Sequence, residues 1–303
     1  MKKILKESDV YQPLAILKNV PIIDGLRLSA IGARICYSDE HPIRMITTDK
    51  RITDESERAK FLSRLAKAKH YSVFAHSPLF TRTSVLHQPP FKLFYAINDN
   101  GEFTICANAR HVVPYLDDEL ETYLNLQCQN YNYAIKEIIA TPDYVKNFQE
   151  VVNDKKLPEK GLIVFAYTEN EWEWYSCISF GYSVIYSHQH VRHTFQNFSQ
   201  RSHRYTRVDD IVVPDTIKQN PGYDYALQHV DNSIMLYNKL VDTGVPKEDA
   251  RFIVPSGRTT VLMFSGPRFV MEDFISKRTI KAAQWEIREV AQLLRNVIDY
   301  LDK

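Results

Sequence analysis

The sequence is poor in glycine and has no excess of either charge. Only nine of its 303 residues are glycine, below the usual share of ~7%, and no Gly-x-Gly-x-x-Gly or Walker pattern occurs, which argues against a glycine-rich phosphate loop. Lysine plus arginine number 38 and aspartate plus glutamate 37. This balance gives no general reason to expect nucleic acid or an anionic membrane as a partner. Any anion site must therefore be local.

Cysteine and long apolar runs are also scarce. The four cysteines, Cys36, Cys106, Cys128 and Cys177, form no Cys-x-x-Cys pair, which argues against a zinc ribbon, a redox dithiol or a disulfide framework. Charges interrupt the amino-terminal stretch where a signal peptide needs an apolar run, and no segment approaches the ~20 apolar residues of a membrane span. We therefore expect a cytoplasmic protein without a membrane partner.

Apolar periodicity predicts an α+β chain. Rows at helical spacing predict helices over 57–69, 120–139, 227–241 and 287–301. Alternating β-branched and aromatic residues predict strands over 79–86, 162–167 and 174–180, and a hairpin between 91–97 and 102–108. We find no repeat and no linker rich in proline, glycine or serine. The sequence therefore predicts a single domain over 1–303.

Basic residues without acidic neighbours mark the candidate site. The 35 residues from Trp174 to Val208 contain no aspartate or glutamate, yet they hold four arginines and four histidines: Arg192, Arg201, Arg204, Arg207, His188, His190, His193 and His203. Guanidinium groups bind phosphate or carboxylate through paired hydrogen bonds. Neutral donors such as Gln189 and Gln200 lie in the same window, a combination that suits a nucleotide.

Three other interpretations of this window are open from the residues alone. It could be a solvated basic face. His188, His190 and His193 could bind a metal ion, but their spacing converges poorly and no carboxylate is near to complete a site, so we expect no metal. Phe195 and Phe198 interleave with the arginines as stacking platforms do in single-strand binding proteins. One short basic window on a neutral chain favours no nucleic-acid partner.

The order of motifs is more specific than the composition. Residues 188–193 read HQHVRH and 198–205 read FSQRSHRY. They resemble the signature of the flavin-dependent thymidylate synthases, H-Q-x-V-R-H-R followed by S-F-S-Q-x-S-x-R-Y. Residues 70–81 resemble the upstream His-x-Ser/Thr-x-Phe-Glu-His and Phe-Thr pair of that family, and 244–255 its G-x-P…A-R-x-x-L-P run. Residues 278–287 resemble its R-x-x-x-x-A-Q-W-E-I close.

The resemblance implies a fold as well as a function. It covers 25–86 and 176–303, and it implies the fold of that family: a central antiparallel or mixed β-sheet flanked by helices. Residues 87–175 have no family counterpart, and we interpret them as an insertion that carries a hairpin and a helix.

By the same resemblance, the chain would methylate dUMP at C5 to dTMP. Methylenetetrahydrofolate would be the carbon donor, and FAD reduced by NADPH the hydride source, in a homotetramer with sites at subunit interfaces. Arg278 would be the catalytic arginine that activates the uracil, and Arg192 would bridge base and flavin. The residues implied for dUMP are Gln189, Arg192, Gln200, Ser202, Arg204, Arg251 and Arg278. Those implied for FAD are His70, Ser72, Arg192, His193, Thr194, Gln200 and Asp273.

Departures from the family pattern fall mainly on the flavin or folate side. They are Thr194, Ala75, Val184, Pro267 with Phe269, and Ala282. The residues implied for the phosphate match the family pattern. On the flavin side, losing a guanidinium near a dinucleotide reduces the binding free energy by about 1.5 to 3 kcal/mol per charged hydrogen bond. Two further hypotheses therefore stand beside thymidylate synthesis: another flavin-dependent C5 modification such as hydroxymethylation, and a relative that binds nucleotide without catalysis.

Overall fold

The computed structural model describes residues 17–83, 95–100, 102–129, 135–154, 156–169, 172–208 and 210–303. Its α-helices are α1 (Arg27–Tyr37), α2 (Pro42–Thr48), α3 (Lys50–Thr53), α4 (Glu55–Lys67), α5 (Leu120–Gln129), α6 (Phe148–Val152), α7 (Val184–His190), α8 (Asp215–Lys218), α9 (Tyr223–Asp242), α10 (Lys247–Ala250), α11 (Arg268–Arg278) and α12 (Trp285–Leu301). Its strands are β1 (Pro78–Thr83), β2 (Tyr95–Asp99), β3 (Glu102–Asn108), β4 (Lys136–Ala140), β5 (Val145–Asn147), β6 (Gly161–Glu169), β7 (Trp172–Ser183), β8 (Asn197–Gln200) and β9 (Thr259–Pro267). Short 3-10 helices include Tyr71–His76 and Arg251–Ile253. The α+β prediction is confirmed.

The described strands form two antiparallel sheets. One has the order β1-β3-β2, and the central one the order β5-β4-β6-β7-β9-β8. Every neighbouring pair is antiparallel, so the central sheet is antiparallel and not mixed. β7 leads directly into α7, and β9 leads directly into α11. The neighbouring strands β7 and β9 therefore place the helices on which the candidate site is built.

The core lies on both faces of the central sheet. Side chains alternate along a strand, so Ile163 and Phe165 of β6 pack with the core of α1 and α4, while Leu162 and Val164 pack with α11 and α12. β9 divides in the same way. Burial on both faces explains why these strands consist of nearly continuous apolar runs.

The helical predictions for 57–69, 227–241 and 287–301 are confirmed as α4, α9 and α12. In α12 the predicted row is buried at Ile287, Val290, Leu294 and Val297. α9 differs, because only Ser233 and Tyr237 of its 20 residues are buried. Most of its apolar row is thus exposed or only partly covered.

The prediction of one helix over 120–139 is wrong from Lys136 onward. Residues 130–134 lie outside the described residues, and from Lys136 the chain is strand β4, paired with β6. Ile138 and Ile139 lie in different core clusters, as a strand between two apolar layers requires. Ile138 continues the helical spacing by coincidence, and the pairing with β6 decides its conformation.

The predicted hairpin is confirmed as β2 paired with β3. Its first residues, 91–94, and the end of the predicted 79–86 strand lie outside the described residues. The segment 87–175 contains more than a hairpin and a helix, because β4, β5, β6 and the start of β7 also belong to it. It therefore builds part of the central sheet. Among the described helices, none has the length and apolarity that crossing a bilayer requires.

Candidate active site

The signature helix α7 is held in place by the carboxy-terminal motif. Ser183 is the N-cap of α7 and accepts from the backbone N–H of Tyr186. The buried carboxylate of Glu286 accepts from the backbone N–H of Ser183 at 2.8 Å, which satisfies a donor at the start of α7. Gln284 caps α12 in turn. The Ala-Gln-Trp-Glu-Ile segment thus fixes where α7 begins, and with it the position of His188 and Gln189 in its last turn.

Arg278 and His193 form the centre of the candidate site. The Nε–H of Arg278 donates to Nε2 of His193 at 2.8 Å, and its Nη2 lies 3.4 Å from the carbonyl oxygen of Gln189. Burial and then the charge of Arg278 lower the pKa of His193 to about 4. The imidazole is therefore neutral near pH 7, as an acceptor for a guanidinium must be.

A cavity of about 370 Å³ opens beside this pair. It is lined by Arg192, His193, Thr194, Phe195, Val270, Asp273, Lys277 and Arg278. Arg192 and Thr194 are exposed, and Arg278 is half-buried. Burial and then the charge of Arg192 lower the pKa of Arg278, which places two guanidinium groups close enough to repel each other. Asp273 carries the negative charge, and it is paired with Lys277 at 2.7 Å.

His190 supports the candidate site from below and was missed by the sequence analysis. It is fully buried and stacks on Phe274 with ring centroids 4.3 Å apart. Tyr186 and Gln196 bind its two ring nitrogens at 2.6 and 2.9 Å. The rings of His190 and Phe274 both contact the ring of His193 edge-on. His190 occupies the variable position of the signature, so the only sequence signal for it was the high histidine content.

A second group of predicted residues lies around Glu248. Arg204 donates from Nε to the Glu248 carboxylate at 2.8 Å, and Arg251 donates from Nε to the Glu248 backbone oxygen at 3.1 Å. The backbone N–H of Ser202 donates to the backbone oxygen of Cys36 at 3.1 Å, which fixes the position of Ser202. Gln200 is bonded elsewhere, to the hydroxyl of Ser187 at 2.8 Å.

The upstream motif reaches the signature through its last residue. His76 is fully buried, and its ring nitrogens lie 2.9 Å from the hydroxyls of Ser199 in β8 and Ser265 in β9. His70 and Ser72 are exposed at the other end of the same 3-10 helix. The predicted site residues thus lie in separate places on one chain: the Arg278 cavity, the Glu248 group, Gln200 beside Ser187, and the start of the 3-10 helix.

The described residues contain no cluster of three or more histidine, cysteine or acidic side chains that could hold a metal ion. A wider groove of about 890 Å³ lies elsewhere, between α3, β4 and the end of α12. Its two arginines have partners: Arg27 pairs with Glu137, and the buried Arg58 donates to three backbone oxygens. We therefore place the candidate site at the smaller cavity, where cationic donors converge.

Part of the chain is similar to known proteins. Residues 176–300 match the family described as thymidylate synthase complementing protein. The chain is 35% identical over 118 residues to a flavin-dependent thymidylate synthase of Thermococcus onnurineus, which covers 37% of this chain and 48% of that one. It is 37% identical over 126 residues to the flavin-dependent thymidylate synthase of Geobacter sulfurreducens, with 39% and 53% covered. The chain spans about half the length of these curated relatives.

Among solved structures, the chain is similar to a UMP/dUMP methylase from Streptomyces cacaoi bound with 5-Br dUMP. The sequence identity is 20% and the TM-score 0.38, over 43% of this chain and 67% of the other. A similarity at this level does not establish a shared fold. The family match covers the signature, the Ala-Arg segment and the carboxy-terminal motif, so residues 176–300 are similar to the thymidylate synthase complementing protein family.

Proposed function

We propose that this protein methylates dUMP at C5 to give dTMP, with methylenetetrahydrofolate as carbon donor and FAD, reduced by NADPH, as hydride source. The observation that carries the proposal is the pair formed by Arg278 and neutral His193 beside Arg192, within a segment that matches the family. The names of the similar relatives support the same activity.

Arg278 is the proposed catalytic residue. The Nε–H of Arg278 donates to His193, and its Nη2 donates to the backbone oxygen of Gln189. Its Nη1 has no acceptor among the described residues. That end of the guanidinium is free to donate to a pyrimidine oxygen. A fixed positive charge there stabilises negative charge on the ring as C5 becomes nucleophilic, in the manner of an oxyanion hole.

Ser202, Arg204, Arg251 and Gln189 are proposed to bind the phosphate end of dUMP. The backbone oxygen of Ser202 accepts from the N–H groups of Tyr205 and Thr206, so Ser202 and Arg204 lie in one turn. The guanidinium groups of Arg204 and Arg251 supply the charged donors that an anion needs. The ion pair of Arg204 with Glu248 is about half exposed, and exposed pairs contribute little to stability. A phosphate dianion can therefore displace the carboxylate at low cost.

The donor chemistry fits FAD. Arg192, Thr194, His70 and Ser72 are exposed, and they supply cationic and hydroxyl donors of the kind an anionic dinucleotide needs. His193, Gln200 and Asp273 complete the proposed flavin residues. When bound, FAD would supply the hydride. Arg192 would hold flavin and base against each other, and Thr194 would donate a neutral hydrogen bond where the family has an arginine.

We also propose a cytoplasmic homotetramer of single-domain chains, with 87–175 as an insertion and each active site at a subunit interface. Two observations support it. The predicted site residues lie in separate places on one chain, and α9 exposes Tyr225 by 80% and Met235 by 66%, beside Phe252 at 85%. Exposed apolar surface of this kind marks interaction sites. The four cysteines form no disulfide, as a reducing compartment requires.

The proposal is tested with the purified protein by its visible flavin spectrum and by NADPH oxidation. We expect a flavin absorbance and an NADPH oxidation that depends on both dUMP and methylenetetrahydrofolate. A protein that binds no FAD when it is added would overturn the proposal.

A changed C5 modification is the second candidate. It is favoured by the departures on the flavin side, where Pro267 is the N-cap residue of α11 and Phe269 is 49% exposed. A dUMP-dependent reaction whose product differs in mass from dTMP would support this candidate over methylation.

A further inference from the structure

Arg258 is a cation that neither the family pattern nor the proposed chemistry uses. It follows the turn at Gly257, and its backbone oxygen accepts from the N–H of Val184 at 2.9 Å, at the start of α7. The turn itself is closed by the Arg258 N–H donating to the Pro255 oxygen at 3.1 Å. Arg258 is thus fixed between the Ala-Arg segment and the signature helix.

The side chain of Arg258 is held at one nitrogen only. Nη1 lies 3.3 and 3.4 Å from the backbone oxygens of Val254 and Pro255. Nε is buried and has no hydrogen-bond partner, and Nη2 has no acceptor among the described residues. Nε and Nη2 form the side of a guanidinium that binds two oxygens of one carboxylate or phosphate. An unsatisfied buried donor of this kind costs free energy.

Arg258 lies near a second guanidinium and a neutral imidazole. Burial and then the charge of Arg251 lower the pKa of Arg258. Burial, followed by the charge of Arg258, lowers the pKa of the nearby His203 to about 4. No carboxylate acts on Arg258 or His203 within the described part of the chain. Among the described residues, Arg251 donates only through Nε, so both guanidinium groups offer donors to one anion.

We propose that Arg258 acts together with Arg251 as a second guanidinium of the phosphate subsite, binding the phosphate dianion of the nucleotide through Nε and Nη2. This inference rests on the proposed function, whose phosphate residues include Arg251. It adds a binding residue that the signature does not specify. A dianion between the two guanidinium groups removes their repulsion and satisfies the buried Nε–H.

The test compares ligands that differ only in the phosphate. Arg258→Gln removes the charge. We expect this variant to bind dUMP roughly 10- to 100-fold more weakly, because one or two charged hydrogen bonds are lost. Its affinity for deoxyuridine, which has no phosphate, should change less than about threefold. Arg258→Lys, which keeps the charge but not the fork, should recover part of the affinity. Arg288→Gln is the matched control, because Arg288 also binds two backbone oxygens through Nη1.

Each outcome decides the question. Equal weakening of dUMP and deoxyuridine, or no change in dUMP affinity, would overturn the role of Arg258. Circular dichroism shows whether the Arg258→Gln protein is folded. Partial recovery of dUMP affinity in the Arg258→Lys protein shows that the loss is one of binding. Inorganic phosphate is the second probe: if the wild-type protein binds phosphate through Arg258 but does not bind dUMP, the proposed function fails and the anion site stands. If the wild-type protein binds neither, both are overturned.

Discussion

At the residue scale, Arg278 is the side chain on which the proposed chemistry depends most. The motif order predicted its role, and the structure places it 2.8 Å from His193. The sequence could not predict this contact, because Arg278 and His193 are 85 positions apart and meet only when α11 packs beside α7. His190 occupies the variable position of the signature and Arg258 lies outside the motifs, so only their burial and their partners distinguish them.

Replacing Arg278 by alanine should abolish most of the activity without unfolding the protein. Arg278 ends α11 and is half-buried, so its loss leaves the core intact. Removing one preorganised donor to a developing oxyanion costs about 100- to 1000-fold in kcat. Steady-state kinetics with dUMP should show this loss in kcat. A variant that retained more than about half of the wild-type kcat would contradict the catalytic role.

His193→Phe should separate ring packing from the hydrogen bond. Phenylalanine keeps the contacts with His190 and Phe274 but removes the acceptor for the Arg278 Nε–H. We expect kcat to fall by about tenfold, the value of one hydrogen bond to a charged group. Because His193 has a pKa of about 4, its protonation should add no limb to the pH profile between pH 5 and 8.

The control for this variant is His188→Phe, since His188 is exposed in the last turn of α7. It makes the same chemical change one helical turn away. If His188→Phe and His193→Phe lowered kcat equally, the hydrogen bond to Arg278 would not be the cause.

At the element scale, His76 ties α1, β8 and β9 together. It reaches Ser199 and Ser265, and Gly32 of α1 packs against its ring. A β-carbon at Gly32 would lie 2.6 Å from Cδ2 of His76. Glycine to alanine in a helix usually stabilises by roughly 0.5 to 1 kcal/mol. The overlap should reverse that sign here.

We therefore expect Gly32→Ala to destabilise the protein by about 1 to 3 kcal/mol, the usual cost of overpacking a core. Urea denaturation measures it. In a His76→Ala background the ring is gone, so the added methyl should cost less than about 0.5 kcal/mol. Additive losses in the double variant would show that the ring is not the obstacle.

Sequence patterns predicted elements best where one face alone is buried. α12 repeats its apolar row every three or four residues, and that row is buried. The error over 120–139 arose where the chain changes from helix α5 to strand β4. Ile138 continues the helical spacing, yet the pairing of β4 with β6 determines its conformation. Such long-range pairing is not encoded in local spacing.

At the scale of the whole molecule, buried histidines should make the fold sensitive to acid. Burial lowers the pKa of His76 to about 3 and those of His111 and His203 to about 4. Because each folded-state pKa lies below the unfolded value of 6.5, the unfolded chain takes up protons first as the pH falls. Stability is therefore lost between pH 6.5 and 4, by up to about 1.4 kcal/mol per pH unit for each histidine.

Urea denaturation at pH 7, 6 and 5 measures this slope. Asp24 opposes it, because burial raises its pKa to about 6 and its contribution is lost as the pH rises; one carboxyl does not cancel several histidines. His203→Asn should reduce the slope. A protein equally stable at pH 7 and 5 would contradict the assignment of these histidines as neutral.

The exposed face of α9 should hold subunits together. Met235→Glu places a charge on a residue that is 66% exposed, so it should leave the folded chain intact. Sedimentation velocity should show a tetramer for the wild-type protein and smaller species for the variant, with activity lost in parallel. A wild-type monomer that was fully active would contradict sites at subunit interfaces.

The proposed activity is the conversion of dUMP to dTMP at the Arg278 site. The most direct measurement is to incubate the protein with dUMP, methylenetetrahydrofolate, FAD and NADPH, and to identify the pyrimidine product by mass spectrometry, with the Arg278→Ala protein in parallel. We expect dTMP from the wild-type protein and unchanged dUMP from the variant. Unchanged dUMP from a wild-type protein that carries FAD, or equal amounts of dTMP from both proteins, would contradict the account.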